Sequence, residues 1–223
     1  MGHRERRLFA VGKIKNMKGK KILIAVPNLG SVHPLLVMRL LRWATMPVAG
    51  VDQVSFFMPT GIIPHDSARN FCVQHFLNTD CTHLFFIDSD VVPPEDALEE
   101  LIAPDLPVIS GLYKAMKQDK DGNLVPKWTV YTYGQDENGD YGLMTAADGR
   151  GICQISRAGA GCLIIRRDVL EAIGAPWFRF QYDEKGNMHI GEDIAFCANV
   201  ERVGFSVYAH FDVRCKHLKE IFI

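Results

Sequence analysis

The chain has 223 residues, enough for one well-cored domain or two small ones. Hydrophobic residues at 48% and charged residues at 23% are ordinary globular values, and a formal net charge of −1 gives no electrostatic argument for nucleic acid or an anionic membrane. No apolar run approaches a membrane span, the N-terminus lacks a signal-peptide core, and six dispersed cysteines without a C-x-x-C pair suit a reduced, cytoplasmic protein.

Residues 1–19 are basic and poor in apolar side chains, so they read as a flexible leader to a single domain over 20–223. KKILIAVPN (20–28) is a buried strand stopped by Pro27 and Asn28, and His33 to Trp43 reads as a helix with Pro34 in its first turn. Val54 to Met58 is a second strand. A helix follows to about Leu77, capped by Asp66 or Ser67, with Ala68, Phe71, Cys72 and Phe76 inward. HLFFIDSDVVPP (83–94) is the pivotal strand. Pro93 and Pro94, with Glu95 and Asp96, then open a helix to about Leu101, and VISGL (108–112) is another strand.

Strands alternating with helices predict a mainly parallel sheet covered on both faces. Residues 117–157 interrupt that rhythm with Asp121-Gly122, Asn138-Gly139 and Asp148-Gly149, which predict tight hairpins inserted beside the sheet. These acidic turns lack the glutamate at the twelfth position of a calcium loop, so they read as solvated turns. CLII (162–165) returns to a strand, with Asp168 and Glu171 as a capping box and Gly174 as the helix stop. A helix from Glu192-Asp193 to just before Gly204, burying Ile194, Cys197 and Val200, and a strand over 207–213 close the pattern, with His217 after it.

Four features bear on chemistry. Asp88 and Asp90 end an apolar strand, where unpaired carboxylates need water or a cation, and hard oxygen ligands suit magnesium or manganese. A polar turn is the bland alternative. Glu192 and Asp193 either cap a helix or place a general base at the mouth of the sheet. His217 is either structural or a third metal ligand, and Arg69-Asn70 either a solvated helical face or a guanidinium set for phosphate.

In combination, KILIAVPN, SARNFCVQHFL, FFIDSD, VISGLY, GAGCLIIRRDVL, GEDIAFC and the late His217 resemble the GT-A glycosyltransferases. The resemblance is to family-2-type enzymes and their short bacterial and bacteriophage relatives, and it runs over residues 20–219. It implies a Rossmann-like α/β/α fold with a mainly parallel sheet and a hairpin insertion at 117–157 on the acceptor side. It further implies that Asp90 and His217 hold Mn2+ or Mg2+, with Asp88 facing the ribose or the metal. Arg69, Pro27 and Asn28 would contact the nucleotide, Gly159 and Gly161 would admit the donor sugar or acceptor, and Asp193, beside Glu192, would be the catalytic base of an inverting transfer. The donor would be a UDP- or GDP-sugar, and the acceptor a glycan, protein, lipid or modified base. FFMPTG (56–61) departs from the family by lacking the acidic residue that reads uracil, which leaves the base unassigned. The alternatives are a retaining transferase, a nucleotidyltransferase, disfavoured by the absence of a basic phosphate loop after the first strand, and a non-catalytic nucleotide-sugar module.

Overall fold

The computed structural model describes residues 19–119, 121–135, 141–145 and 149–218. All but the last residue of the expected leader, and the Asn138-Gly139 turn, lie outside the described residues.

The elements run β1 (Lys20–Ala25), α1 (Pro34–Thr45), β2 (Val51–Phe57), α2 (His65–Leu77), β3 (His83–Ile87), β4 (Val91–Val92), α3 (Ala97–Ile102) and β5 (Val108–Leu112). The insertion follows as β6 (Lys114–Gln118), β7 (Leu124–Trp128), β8 (Val130–Gln135) and β9 (Tyr141–Thr145). Then come β10 (Ile152–Ile155), β11 (Arg157–Ala158), β12 (Cys162–Arg166), α4 (Arg167–Ile173), β13 (Gln181–Tyr182), β14 (Met188–Ile190), α5 (Glu192–Arg202), β15 (Val207–Arg214) and β16 (Lys216–His217).

The central sheet has seven strands in the order β10-β15-β5-β12-β3-β1-β2. Strands β2, β1, β3, β5 and β15 share one direction, while β12 and β10 oppose it. The mainly parallel expectation holds for these five. β3 is buried along its whole length, so its side chains alternate between two cores. Leu84 and Phe86 pack with Cys72, Val73 and Phe76 of α2 and with Phe196, Cys197 and Val200 of α5. Phe85 and Ile87 pack with Leu36, Leu40 and Trp43 of α1 and with Leu98, Leu101 and Ile102 of α3. The result is a three-layer α/β/α sandwich.

The insertion contains the hairpins β6–β7 and β8–β9, and β10, within the interrupted stretch, adds an edge strand to the central sheet. Several local expectations need correction. The second helix begins at His65 behind Pro64 without a side-chain cap, and Asp66 sits in its first turn. Phe71 is 45% exposed, because the buried stripe runs through Ala68, Arg69, Cys72, Val73 and Phe76 instead. Asp168 forms no capping bond: Arg166 Nε binds its Oδ1 at 2.9 Å, and an ion pair has taken the carboxylate. Gly174 does end α4, with φ of 71° and its N–H on Leu170. Ile194 is only partly buried, and Ala195 and Phe196 take the inward places with Cys197 and Val200.

All six cysteines are free thiols. Burial pushes Cys72 and Cys197 up to about 12, so they behave as small apolar core residues. No helix among the described residues is long and apolar enough to cross a membrane.

Candidate functional site

The parallel strands end on one side of the sheet, and the singled-out residues collect there. β3 pairs with β12 as far as Ile87↔Cys162, and Asp88 N–H then donates to Gly161 O at 3.1 Å. Asp88 is therefore the first residue past the buried ladder, where a carboxylate can meet solvent or a partner.

Its partner is Arg69. This side chain, 4% exposed, projects from α2 over the end of β3. Arg69 Nη2 donates to Asp88 Oδ1 at 2.9 Å, and Nε donates to Glu192 Oε1 at 3.2 Å. Its floor is aromatic, with the guanidinium carbon 5.3 Å from the ring centre of Phe86 and 6.0 Å from that of Phe178. Burial works against the charge, but Asp88 and Glu192 outweigh it and raise the Arg69 pKa. The third nitrogen, Nη1, is buried without a hydrogen-bond partner among the described residues. An always-charged donor left unmet in a dry site is costly, so it marks a place for an acceptor atom.

Arg69 also binds α5 to the site, since Glu192 and Asp193 form its first turn behind Gly191. Asp193 Oδ1 accepts from Ile194 N–H at 2.7 Å. Burial first, then the neighbouring Glu192 charge, raise the Asp193 carboxyl to about 6, against the pull of Arg69, and Asp88 adds to the rise. A carboxylate near that value is a stronger base than an ordinary aspartate and still ionised at neutral pH.

The second half of the site lies on the β4–β16 ribbon, where His217 pairs with Val91 and Leu218 N–H donates to Asp90 O at 2.8 Å. His217 Nε2 stands 3.0 Å from Asp90 Oδ2, and His217 Nδ1 stands 2.6 Å from Lys114 O. A carbonyl can only accept, so Nδ1 carries a proton. Among the described residues no group of three His, Cys, Asp or Glu side chains converges to cage an ion unaided.

Tyr113, marked in the sequence only by its place at a strand exit, joins the two halves. Its ring meets His217 edge-on at 5.6 Å, and its hydroxyl accepts from Gly161 N–H at 3.0 Å. Burial, then the charges of Asp88 and Asp193, hold its pKa well above the usual phenol value, so it stays protonated. It also gives a packing reason for two glycines. A Cβ on Gly159 would lie 2.3 Å from the Tyr113 hydroxyl, and one on Gly161 would lie 2.6 Å from Asp88 Oδ2.

Asn70 is a staple rather than a solvated surface residue. It donates to Phe178 O at 2.8 Å and accepts from the N–H groups of Trp177 and Phe178, holding Phe178 beneath Arg69. Pro27 and Asn28 lie at the neighbouring strand exit. There Asn28 Oδ1 accepts from Gly30 N–H at 3.0 Å and Thr60 Oγ1 at 3.1 Å, and His33 N–H reaches Ser89 O at 2.9 Å. The structure thus brings together Arg69, Asp88, Glu192 and Asp193, and separately Asp90 and His217, with Tyr113 between. The loop that follows Pro27 and Asn28 meets this assembly at Ser89, through the His33 N–H.

No family model matches the chain, and no curated protein matches it in sequence. Solved structures do. One is a crystal structure of A197 from STIV, 20% identical, covering 90% of this chain and 86% of that one with a TM-score of 0.62. Another is GalNAc-T7 with UDP, GalNAc and Mn2+, 12% identical, covering 92% of this chain and 45% of that one with a TM-score of 0.54. At such identities the likeness is one of fold, and that fold is GT-A.

Proposed function

We propose that this protein is a GT-A glycosyltransferase of the family-2 type, which moves a sugar from a nucleoside-diphosphate sugar to an acceptor hydroxyl with a divalent cation. The observation that carries the reading is the gathering, at one end of the sheet, of a buried guanidinium with an unmet N–H, a carboxylate raised to about 6 and an Asp–His pair. The GalNAc-T7 neighbour carries UDP, GalNAc and Mn2+, and the same class of donor and metal is proposed here.

The donor set fits a hard cation. His217 Nδ1 is taken up by Lys114 O, and its Nε2 stands 3.0 Å from Asp90 Oδ2, an imidazole nitrogen beside a hard oxygen of the kinds such a cation takes. Asp90 and His217 would hold the ion, with waters and substrate phosphates completing its shell, as magnesium and manganese prefer. When bound, the metal would supply Lewis-acid stabilisation of charge on the departing diphosphate.

The chain's own groups account for the rest. Arg69 Nη1 donates to a phosphate or ribose oxygen, while Asp88 and Glu192 fix its plane. Asp193 accepts the proton of the acceptor hydroxyl as that oxygen attacks the anomeric carbon from the face opposite the leaving diphosphate, which inverts configuration. Phe178 and Phe86 keep water from beneath the guanidinium.

The test measures nucleoside-diphosphate binding by calorimetry with and without Mn2+. Wild type should bind tighter with Mn2+, and His217→Ala and Asp90→Ala should each bind equally with and without it. Variants that keep the manganese dependence would remove both residues from the metal.

A further inference from the structure

Helix α1 is apolar on two sides. Leu36, Leu40 and Trp43 are buried against the sheet, as a surface helix requires. Leu35, Val37, Met38 and Leu41, with Met46 just past the helix end, are nevertheless 38 to 65% exposed. A surface helix needs one apolar stripe, and this second one, of five side chains, is left uncovered by the described residues.

Beside this outer side runs an open groove of about 760 Å3, lined by Leu35, Met38, Leu41 and Met46 and by Val92 and Lys216 of the β4–β16 ribbon. The charged part of its lining is basic, with Arg39, Arg42, Arg214 and Lys216 against one acid, Glu95. Glu95 is already matched, 3.3 Å from Arg39 Nη1 and 3.7 Å from Arg42 Nη1. A whole-chain charge of −1 conceals this patch, because screening beyond roughly 8–10 Å leaves a docking surface to respond to its own local charges.

We propose that the outer side of α1 and its groove form a docking surface for an anionic lipid bilayer. The apolar side chains insert among acyl chains, and Arg42, Arg214 and Lys216 meet the lipid phosphates. Two features of the patch select this occupant. A second copy seated on the same face would set cations against cations. The exposed Leu and Met side chains belong to a helix whose backbone is bonded within itself, so this side offers no strand edge for an extended peptide. Lys216 precedes His217 in β16, so docking lays the candidate metal pair along the bilayer surface. The inference does not rest on the transferase reading, since lipid binding is measured without donor or metal.

The experiment is co-sedimentation of the full chain with extruded vesicles of phosphatidylcholine alone or mixed with phosphatidylglycerol. Wild type should bind the anionic vesicles and release as salt rises. Arg42→Gln with Lys216→Gln should weaken binding by about fivefold per charge removed. Met38→Ser with Leu41→Ser, both at exposed positions, should abolish insertion without lowering the melting temperature. Failure of wild type to bind anionic vesicles, or equal binding by either double variant, overturns the proposal. So does displacement by inorganic phosphate at matched ionic strength, which would make this a free-anion site. Self-association that Met38→Ser with Leu41→Ser abolishes would assign the face to a second copy and also overturn it.

Discussion

The two ends of the central sheet each bury a cluster of ionisable side chains, and the clusters differ in what they still lack. At the end where the parallel strands begin, Lys20 Nζ donates to Ile102 O at 2.6 Å and lies 2.8 Å from Asp105 Oδ1, while His83 Nε2 stands 3.4 Å from the same oxygen. Burial first, then the Lys20 charge, lower the His83 pKa to about 4, so the ring is neutral. Its Nε2 has no well-formed hydrogen bond among the described residues, yet an unmet nitrogen on a neutral ring costs far less than one on a permanent cation. At the opposite end the unmet atom belongs to Arg69, which cannot discharge, and the carboxylate beside it is held near 6. In one cluster the permanent charge, on Lys20, is met by Asp105 and Ile102 O. In the other the permanent charge keeps a donor without a partner among the described residues.

The largest expected effect tests that contrast directly. Asp193→Asn should lower transfer by roughly 10²–10⁴-fold, the usual worth of a general base, with little change in donor affinity. Wild-type kcat/KM should rise to a plateau above about pH 6, the value of the Asp193 carboxyl, in a pH–rate profile. Full turnover by the asparagine variant would dismiss the base and favour a retaining mechanism. Arg69→Leu should cost about 3–5 kcal/mol in denaturant unfolding, because it strands Asp88 and Glu192 together. Lys20→Met at the other end strands the half-exposed Asp105 and one carbonyl, Ile102 O, and about 1–2 kcal/mol is expected.

The same two groups give opposite pH slopes. Asp193 rises from 3.8 to about 6 on folding, so its contribution to stability is full below pH 4 and lost as pH climbs through 6. His83 falls from 6.5 to about 4, so its contribution is full above pH 6.5 and lost as pH drops through 4. Asp193→Asn should therefore melt higher than wild type at pH 7, by about 2 kcal/mol after allowance for partial exposure, and match it at pH 4. His83→Gln should flatten the acid limb only. Identical pH–stability curves for the two variants would erase the distinction between the ends.

How far these ends could be read in the sequence follows from the range of the interactions. β3 and its DSD exit were legible because a run of four apolar residues and a break are local signals, and the α5 start was legible from glycine followed by two acids. The antiparallel β12, seated between β3 and β5, was not, since strand direction is set by pairing across the chain. The Lys20–His83–Asp105 cluster was invisible for the same reason. Each member looks like an ordinary polar flank until folding brings residues 63 and 22 positions apart together. The outer side of α1 was present in LLVMRLL, but one buried stripe accounts for such a run, and only exposure shows the second.

The smallest effect concerns the residue that joins the two halves of the site. Tyr113→Phe keeps the ring edge against His217 and deletes only the hydroxyl that accepts from Gly161 N–H. Loss of one buried hydrogen bond predicts about 1 kcal/mol of destabilisation. Removing that polar group from beside Asp88 and Asp193 should also leave the Asp193 carboxyl less well solvated, and so shift the acid limb of the pH–rate profile upward. Thr82→Val is the matched change at the other end, where Thr82 Oγ1 lies 2.9 Å from His83 Nδ1 and accepts from Lys21 N–H at 3.1 Å. It should cost a similar amount and leave the profile where it was. If both variants move the profile alike, the ends communicate through β3, and the Asp193 value belongs to the whole sheet rather than to its immediate neighbours.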